Sequence, residues 1–158
     1  MREDELARTR PTFTQSPAPA PAPASAPVGT AAAARAHARA VAEAGRDAWT
    51  GPAHETDMID LMLVVSELVT NALRHGGGLA GFEAVSVPDG IRLAVRDHSD
   101  GIPSGVRGPA PPPAGRAAGG YGWPLVLRLA REIEIESEPT GGKTIRAFVP
   151  IRPADRSA

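Results

Sequence analysis

The sequence contains no cysteine in 158 residues, and this absence excludes disulfide bonds, thiolate nucleophiles and cysteine-ligated zinc sites. Aromatic residues make up only 4% of the chain, so a hydrophobic core has to be built from Ala, Val, Leu and Ile. No apolar run approaches the length of a membrane-spanning helix, about 18 residues or more. The chain begins with acidic residues rather than with the basic segment of a signal peptide. These absences predict a soluble, cytoplasmic protein that does not bind a membrane.

Neither sign of charge is in excess. The 17 Lys and Arg residues against 18 Asp and Glu residues give a formal net charge of -1. Proteins that bind nucleic acid directly usually carry a basic excess on at least one face. The charge balance therefore argues against direct nucleic-acid binding.

Glycine and proline are abundant instead, with 17 of each, and they divide the chain into three predicted parts. Residues 16–27 read SPAPAPAPASAP, and alternating Pro and Ala bury too little apolar surface to offset the entropy of ordering. We therefore expect residues 1–27 to be a disordered segment. Residues 28–151 are predicted to form one folded domain, and residues 152–158 a disordered tail.

Apolar spacing and turn residues predict the secondary structure of the domain. The strongest signal is a helix with Asp57 as its N-cap, an apolar stripe from Leu61 to Ala72, and an end at Gly76. The full prediction comprises helices over 30–49, 57–75 and 123–131, and strands over 82–87, 91–95, 133–137 and 144–151. This order predicts an α+β two-layer sandwich, with helices covering one face of a mostly antiparallel sheet.

Three segments carry residues that suit nucleotide chemistry. Glu67 and Asn71 are four residues apart on one helix face, and a carboxylate with a carboxamide suits Mg²⁺ and an activated proton acceptor. Spacing alone favours the alternative of an exposed polar face. Asp97 follows a strand and could accept a hydrogen bond from an exocyclic amino group, while Gly101 allows a tight turn beside a flat ring. The alternative there is an ordinary Asp/Ser/Gly turn.

Two glycine-rich segments could meet phosphate. Residues 119–126 (GGYGWPLV) open a helix, where free N–H groups and the helix dipole favour an anion. A flexible hinge is an equally good interpretation of that segment. In residues 141–144 (GGKT), Lys143 or Thr144 could meet a phosphate, although a solvated turn is favoured.

Taken in order, these segments resemble the motifs of the GHKL ATPases, the superfamily of gyrase, heat-shock chaperone and histidine-kinase ATP domains. Residues 66–76 (SELVTNALRHG) resemble the N box, residues 95–103 (VRDHSDGIP) the G1 box, and residues 120–126 (GYGWPLV) the G2 box. The closest resemblance is to the bacterial anti-sigma factor serine kinases of the RsbW and SpoIIAB type, over residues 26–150. Ser99 stands where many relatives carry a glycine.

The resemblance implies a Bergerat fold that binds ATP and Mg²⁺. Glu67 would be the general base, Asn71 the Mg²⁺ ligand, and Asp97 the acceptor of the adenine amino group. The resemblance also implies contacts from Gly101 to the adenine pocket, from Gly120 and Gly122 to the phosphates, from Thr144 to the adenine through water, and a lid over ATP from residues 102–119.

The same resemblance implies that the protein binds a sigma factor and phosphorylates a serine of a STAS-type anti-anti-sigma factor; a homodimer is also implied. An alternative is a non-catalytic ATP-binding regulatory module that sequesters a partner without phosphoryl transfer. The related kinases carry an arginine just before the G2 glycines, and Arg116 is the nearest candidate here. The ATP domain of a sensor histidine kinase is less favoured, because no helix pair with a phospho-accepting His is recognisable before the domain.

Overall fold

The computed structural model describes residues 28–103 and 122–154. Within these ranges the chain forms three α-helices, a 3₁₀ turn and a four-stranded antiparallel sheet of order β1-β2-β4-β3. The elements are α1 (Ala31–Ala44), α2 (Glu55–His75), β1 (Leu79–Val87), β2 (Gly90–Asp97), α3 (Gly122–Leu129), β3 (Arg131–Ser137) and β4 (Lys143–Pro150). The predicted α+β two-layer architecture is confirmed. Across the described ranges, no helix combines the length and apolar content that crossing a bilayer requires.

Alanine lets α1 pack closely against α2. Its fully buried residues recur every four positions, at Ala34, Ala38 and Ala42. The helix begins at the predicted cap Thr30, whose hydroxyl accepts a hydrogen bond from the Ala33 amide at 3.1 Å. It is shorter than predicted, because a 3₁₀ turn over 45–47 replaces its last part.

The apolar stripe of α2 forms the centre of the core, as predicted. Its buried residues are Leu61, Val64, Val65, Leu68, Val69 and Ala72. The predicted start of this helix was wrong, because α2 begins at Glu55 with His54 as its cap. The Nδ1 atom of His54 accepts the Thr56 amide at 3.3 Å. The carboxylate of Asp57, which was expected to cap the helix, is bound to Arg152 instead.

All four predicted strands are present, each with ends within three residues of those expected. The third helix is shorter than predicted, since it ends at Leu129, and Arg131 already belongs to β3.

Side chains alternate along β2 and β4, and one set faces the helices. This buried set comprises Ile91, Leu93 and Val95 on β2 and Ile145, Ala147 and Val149 on β4. On this face Leu93 lies opposite Ala147. The next pair on the same face, towards the end of β2, is Val95 with Ile145. The pair after that is Asp97 with Lys143, and both are also buried. The core face of the sheet therefore ends in two charged side chains.

An ion pair between Asp57 and Arg152 joins the end of the domain to the start of α2. The Oδ2 atom of Asp57 accepts the Arg152 amide at 2.8 Å and its Nε at 3.0 Å, while Oδ1 accepts Nη2 at 2.7 Å. An isolated bridge between Ala53 and Pro153 extends the contact. Residues 152–154, which were expected to begin a disordered tail, thus pack against the domain.

The Asp57 contact makes stability depend on pH. Burial raises the pKa of this carboxyl, but the hydrogen bonds and charge of Arg152 outweigh burial, so the pKa lies below its ordinary value of 3.8. A carboxyl with a lowered pKa in the folded state contributes its full stabilisation above the unfolded-state pKa. That stabilisation is lost as the pH falls through the folded-state pKa.

We expect Asp57→Asn to lower the free energy of unfolding at neutral pH by about 1–3 kcal/mol, because three charge-assisted hydrogen bonds are weakened. The variant should also lose less stability than the wild type as the pH falls below about 4. Urea denaturation over a pH series measures both effects, and Asp60→Asn on the next turn of α2 is the matched control. Identical acid dependence in Asp57→Asn and the wild type would contradict this assignment.

Candidate functional site

The N-box and G1-like segments meet the glycine-rich turn before β4 around Asp97. Gly76, which ends α2, lies so close that a Cβ there would come within 2.6 Å of the Asp97 carboxyl carbon. The His98 amide donates to the Gly76 carbonyl at 2.8 Å. On the other side, a Cβ on Gly142 would overlap the Asp97 carbonyl oxygen. Glycine at 76 and at 142 therefore lets two further chain segments approach the end of β2.

Glu67 lies at the amino end of α3. It is half-buried on α2, and Gly122 is so close that a Cβ at position 122 would overlap the Glu67 carboxylate. The first turn of a helix presents free N–H groups and a partial positive charge. The absence of a side chain at Gly122 thus brings a carboxylate to an anion-favouring helix end.

Asn71 is half-buried one helical turn beyond Glu67 on α2. Among the described residues, no group of three His, Asp or Glu side chains could hold a metal ion by itself. Mg²⁺ commonly binds through one or two protein oxygens and completes its shell with water and substrate phosphates. The single carboxamide oxygen of Asn71 fits that mode of binding.

The acidic side chain of Asp97 forms a buried ion pair with Lys143. The Lys143 ammonium lies 3.0 Å from Oδ1 and 2.9 Å from Oδ2 of Asp97. The two side chains are only 4% and 5% exposed. The Ser99 amide also donates to Oδ1 at 3.0 Å, and the Lys143 ammonium donates to the Ser99 carbonyl at 3.1 Å. A charged pair this deeply buried is stable only because its polar atoms are bonded to one another.

The loop after Asp97 is held by its own short polar side chains. Ser99 Oγ accepts the Gly101 amide at 3.1 Å, and Asp100 Oδ1 accepts the Gly142 amide at 2.8 Å. The serine that replaces a glycine in the G1-like segment therefore stabilises the turn. Gly101 is exposed at the mouth of this loop, where only the Ser99 hydroxyl comes near its Cβ position.

Thr144 was expected to contact the adenine end of the site through water, which stays a prediction, and its place in the register is next to that of Asp97's partner. Partners across an antiparallel pair share a face, and Thr144 is opposite Arg96, one residue out of phase with Asp97. Its hydroxyl is hydrogen-bonded to the Glu138 carboxylate. The neighbouring Lys143 lies opposite Asp97 and on the same face of the sheet, because side chains alternate along β4.

Sequence reasoning missed two residues of this region. Lys143 was expected in a solvated turn, yet its step of two from Ile145, on an alternating strand, places it on the buried face. Trp123 is 7% exposed at the start of α3, and its buried indole N–H finds no hydrogen-bond partner among the described residues. Gly120, Arg116 and most of the predicted lid lie outside the described residues.

The described residues fit a purine nucleotide with Mg²⁺. The Asp97 carboxylate lies against the carboxyl end of α2. Glu67 and Asn71 present side-chain oxygens from earlier turns of that helix. The Glu67 carboxylate fills the space beside Gly122 at the start of α3, and the buried indole N–H of Trp123 has no hydrogen-bond partner among the described residues.

Comparison with known proteins agrees with this geometry. Residues 26–148 match the family described as histidine kinase-like ATPase domain. The alginate biosynthesis sensor protein KinB of Pseudomonas aeruginosa is 31% identical over 113 residues, which are 63% of this chain and 19% of KinB. The sensor-type histidine kinase PrrB of Mycobacterium tuberculosis is 30% identical over 101 residues, 57% of this chain and 23% of PrrB. The matched part is thus about a fifth of the length of these curated relatives.

The burial of the Asp97–Lys143 pair predicts a large cost for removing one partner. We expect Lys143→Met to lower the free energy of unfolding by about 3–5 kcal/mol, because the Asp97 carboxylate would remain buried without a cation. Adding Asp97→Leu should recover most of this loss, since no buried charge then remains. Urea denaturation measures each variant.

Arg146→Met is the matched control on the same strand. The ion pair of Arg146 with Glu136 is exposed, at 51% and 55%, so its loss should cost less than about 1 kcal/mol. A cost for Lys143→Met as small as that of the control would contradict the burial of the pair.

Proposed function

Because the chain belongs to the histidine kinase-like ATPase domain family, we propose that it binds ATP with Mg²⁺ and transfers the γ-phosphoryl group to a serine of a partner protein. We propose further that it works as an anti-sigma factor, binding a sigma factor and phosphorylating a STAS-type anti-anti-sigma antagonist. The observation that carries the catalytic part is the position of the Glu67 carboxylate against Gly122, at the amino end of α3. The partners, and a homodimer, rest on the resemblance of the N-box and G-box residues.

Each residue of the site takes one role in this proposal. Asp97 accepts a hydrogen bond from the base of the nucleotide, at the loop that Gly101 leaves open. Asn71 holds Mg²⁺ through its side-chain oxygen, and bound Mg²⁺ supplies positive charge beside the phosphates. The amino end of α3, with Gly122, faces the phosphates through its free N–H groups.

Glu67 accepts the proton of the attacking serine. As the serine oxygen bonds to the γ-phosphorus, the bond from that phosphorus to the β,γ-bridging oxygen breaks, and ADP leaves. The proton released by the hydroxyl passes to the Glu67 carboxylate, which is half-buried beside Gly122. The helix dipole of α3 stabilises the charge that builds up on the transferring group.

A carboxylate in this position favours a hydroxyl acceptor over an imidazole. A serine hydroxyl is a weak nucleophile until a base takes its proton. A neutral histidine attacks with the lone pair of a ring nitrogen that carries no proton, so it needs no base at that atom. Glu67 thus supports a serine kinase.

A second candidate is the ATP-binding domain of a histidine kinase, and the comparisons favour it. Two of the relatives reported above are named as sensor proteins or sensor histidine kinases, and the match to each covers only part of that protein. In that case the phosphoryl group would pass to a histidine. The chemical stability of the product separates the two candidates, because phosphoserine survives acid and phosphohistidine does not.

The test is transfer of label from γ-labelled ATP to a purified STAS-domain protein, followed by acid treatment. We expect acid-stable label on the STAS protein. Glu67→Gln should slow transfer by roughly 10²- to 10⁴-fold, the usual contribution of a general base, while leaving ATP affinity nearly unchanged. Glu55→Gln, in the exposed first turn of the same helix, is the control and should transfer at the wild-type rate.

Three other results would each overturn part of the proposal. Acid-labile label would establish a histidine acceptor. ATP binding without any transfer would establish a non-catalytic module that sequesters its partner. Full activity of Glu67→Gln would remove the general-base role.

We expect Gly122→Ala to slow phosphoryl transfer strongly and to lower the melting temperature only slightly. The new methyl group would occupy the position of the Glu67 carboxylate, and this flexible side chain would move aside rather than disrupt the core. Initial rates of label transfer and thermal melting measure the two effects. Gly29→Ala is the control, since nothing lies within 4 Å of its Cβ position. Wild-type rates for Gly122→Ala would show that Glu67 need not stay where the structure has it.

A further inference from the structure

We propose that Asp97 and Lys143 read the base together, and that the site accepts 6-oxopurine nucleotides, such as inosine triphosphate, as well as ATP. This inference rests on the proposed function, because it assumes that a nucleotide base contacts Asp97. It concerns the range of substrates that the site accepts. The hydrogen bonds of the buried pair determine which groups of a base it can bind.

Asp97 has one acceptor position left for a ligand among the described residues. Each oxygen of a carboxylate can accept about two hydrogen bonds. Oδ1 already accepts two, from the Ser99 amide at 3.0 Å and from the Lys143 ammonium at 3.0 Å. Oδ2 lies 2.9 Å from the Lys143 ammonium in the ion pair and has no other polar contact among the described residues. The remaining position on Oδ2 suits one N–H group of a base.

The ammonium of Lys143 has three N–H donors, and it contacts the Asp97 carboxylate, with Oδ1 at 3.0 Å and Oδ2 at 2.9 Å, and the carbonyl of Ser99 at 3.1 Å. The bond to Oδ1 can be given up at low cost, because Oδ1 keeps its hydrogen bond from the Ser99 amide. One donor of Lys143 can therefore be redirected to a ligand without leaving a buried polar atom unpaired.

The two classes of purine differ in the group at position 6. Adenine carries an amino group, which donates, whereas guanine carries an oxo group, which accepts, and carboxylates and lysines read these two groups respectively. Hypoxanthine, the base of inosine, also carries the 6-oxo group.

An aspartate acting alone would reject the 6-oxo group, because two acceptors would face each other. Asp97 binds a 6-amino group through the open position on Oδ2, with no rearrangement. For a 6-oxopurine, Lys143 redirects one N–H to the oxo group and the protonated N1 donates to Oδ2. Both classes then leave every polar atom of the pair satisfied, so neither carries the penalty of an unpaired buried group.

The experiment measures the dissociation constants of ATP and inosine triphosphate for the purified protein, by calorimetry in the presence of Mg²⁺. Inosine triphosphate isolates the 6-oxo group, because it lacks the 2-amino group of guanosine triphosphate. We expect the wild-type protein to bind the two nucleotides within about tenfold of each other.

Two variants should shift the preference in opposite directions. Lys143→Met removes the donor, so inosine triphosphate should weaken roughly tenfold or more relative to ATP. In Asp97→Asn the amide oxygen stays at the Oδ1 position, where Ser99 and Lys143 both donate to it. Its NH₂ group takes the place of Oδ2, where it cannot accept from Lys143, so both groups offer only donors to the base and the preference should shift roughly tenfold towards inosine triphosphate. Arg146→Met, on the opposite face of β4, should leave the ratio unchanged.

The outcomes separate this inference from the proposed function. A folded wild-type protein that binds neither nucleotide overturns both. Binding of ATP with inosine triphosphate more than about 100-fold weaker overturns the base-reading pair and leaves the proposed function intact. Equal losses for the two nucleotides in both variants would show that Lys143 acts only on the fold. If a variant does not fold, the wild-type ratio alone decides.

Discussion

The buried ion pair of Asp97 and Lys143 fixes the arrangement of the whole site. Two charges that are almost completely excluded from water are stable only when they bond to each other and to nearby polar groups, so these neighbours are held in place as well. The loop after β2 supplies Ser99, which bonds to both members of the pair. Gly76 and Gly142 bring the end of α2 and the turn before β4 against Asp97. One interaction at the end of the sheet therefore determines where three segments of chain meet.

Helix α2 joins this end of the site to the end that carries Glu67. Gly76 at its carboxyl end touches Asp97, and Glu67, nine positions earlier, touches Gly122 of α3. At 1.5 Å per residue, about 13 Å of rigid helix separates the two contacts. The buried stripe on the opposite face of α2 packs on the sheet and α1, so the helix cannot rotate without exposing the core. The apolar core thus sets the spacing between the Asp97 end and the Glu67 end of the site.

Local rules predicted the elements well and the contacts between them less well. Apolar periodicity in α2, and alternation in the strands, are properties of neighbouring residues, so the sequence alone indicated the elements and their order. The predicted cap of α2 was wrong because Asp57 binds Arg152, 95 residues away in the sequence. No local sequence pattern reveals such a partner. The burial of Lys143 was missed for a different reason. A shift of one residue at the start of a strand inverts every side chain, and strand boundaries are what sequence patterns define least sharply.

The stability of the fold alone does not explain why Asp97 and Lys143 form a buried ion pair at this position. Well-packed apolar residues of similar volume are often as stable as a buried ion pair, or more stable. The other six buried residues on this face of β2 and β4 are all apolar. Continuing that pattern by one more step would have closed the core without any desolvation cost. The charged pair stands instead at the one end of the sheet where glycines bring α2 and the β4 turn together. On the buried face of β2 and β4, charge occurs only at Asp97 and Lys143, and this placement supports the proposal that the pair contacts a ligand.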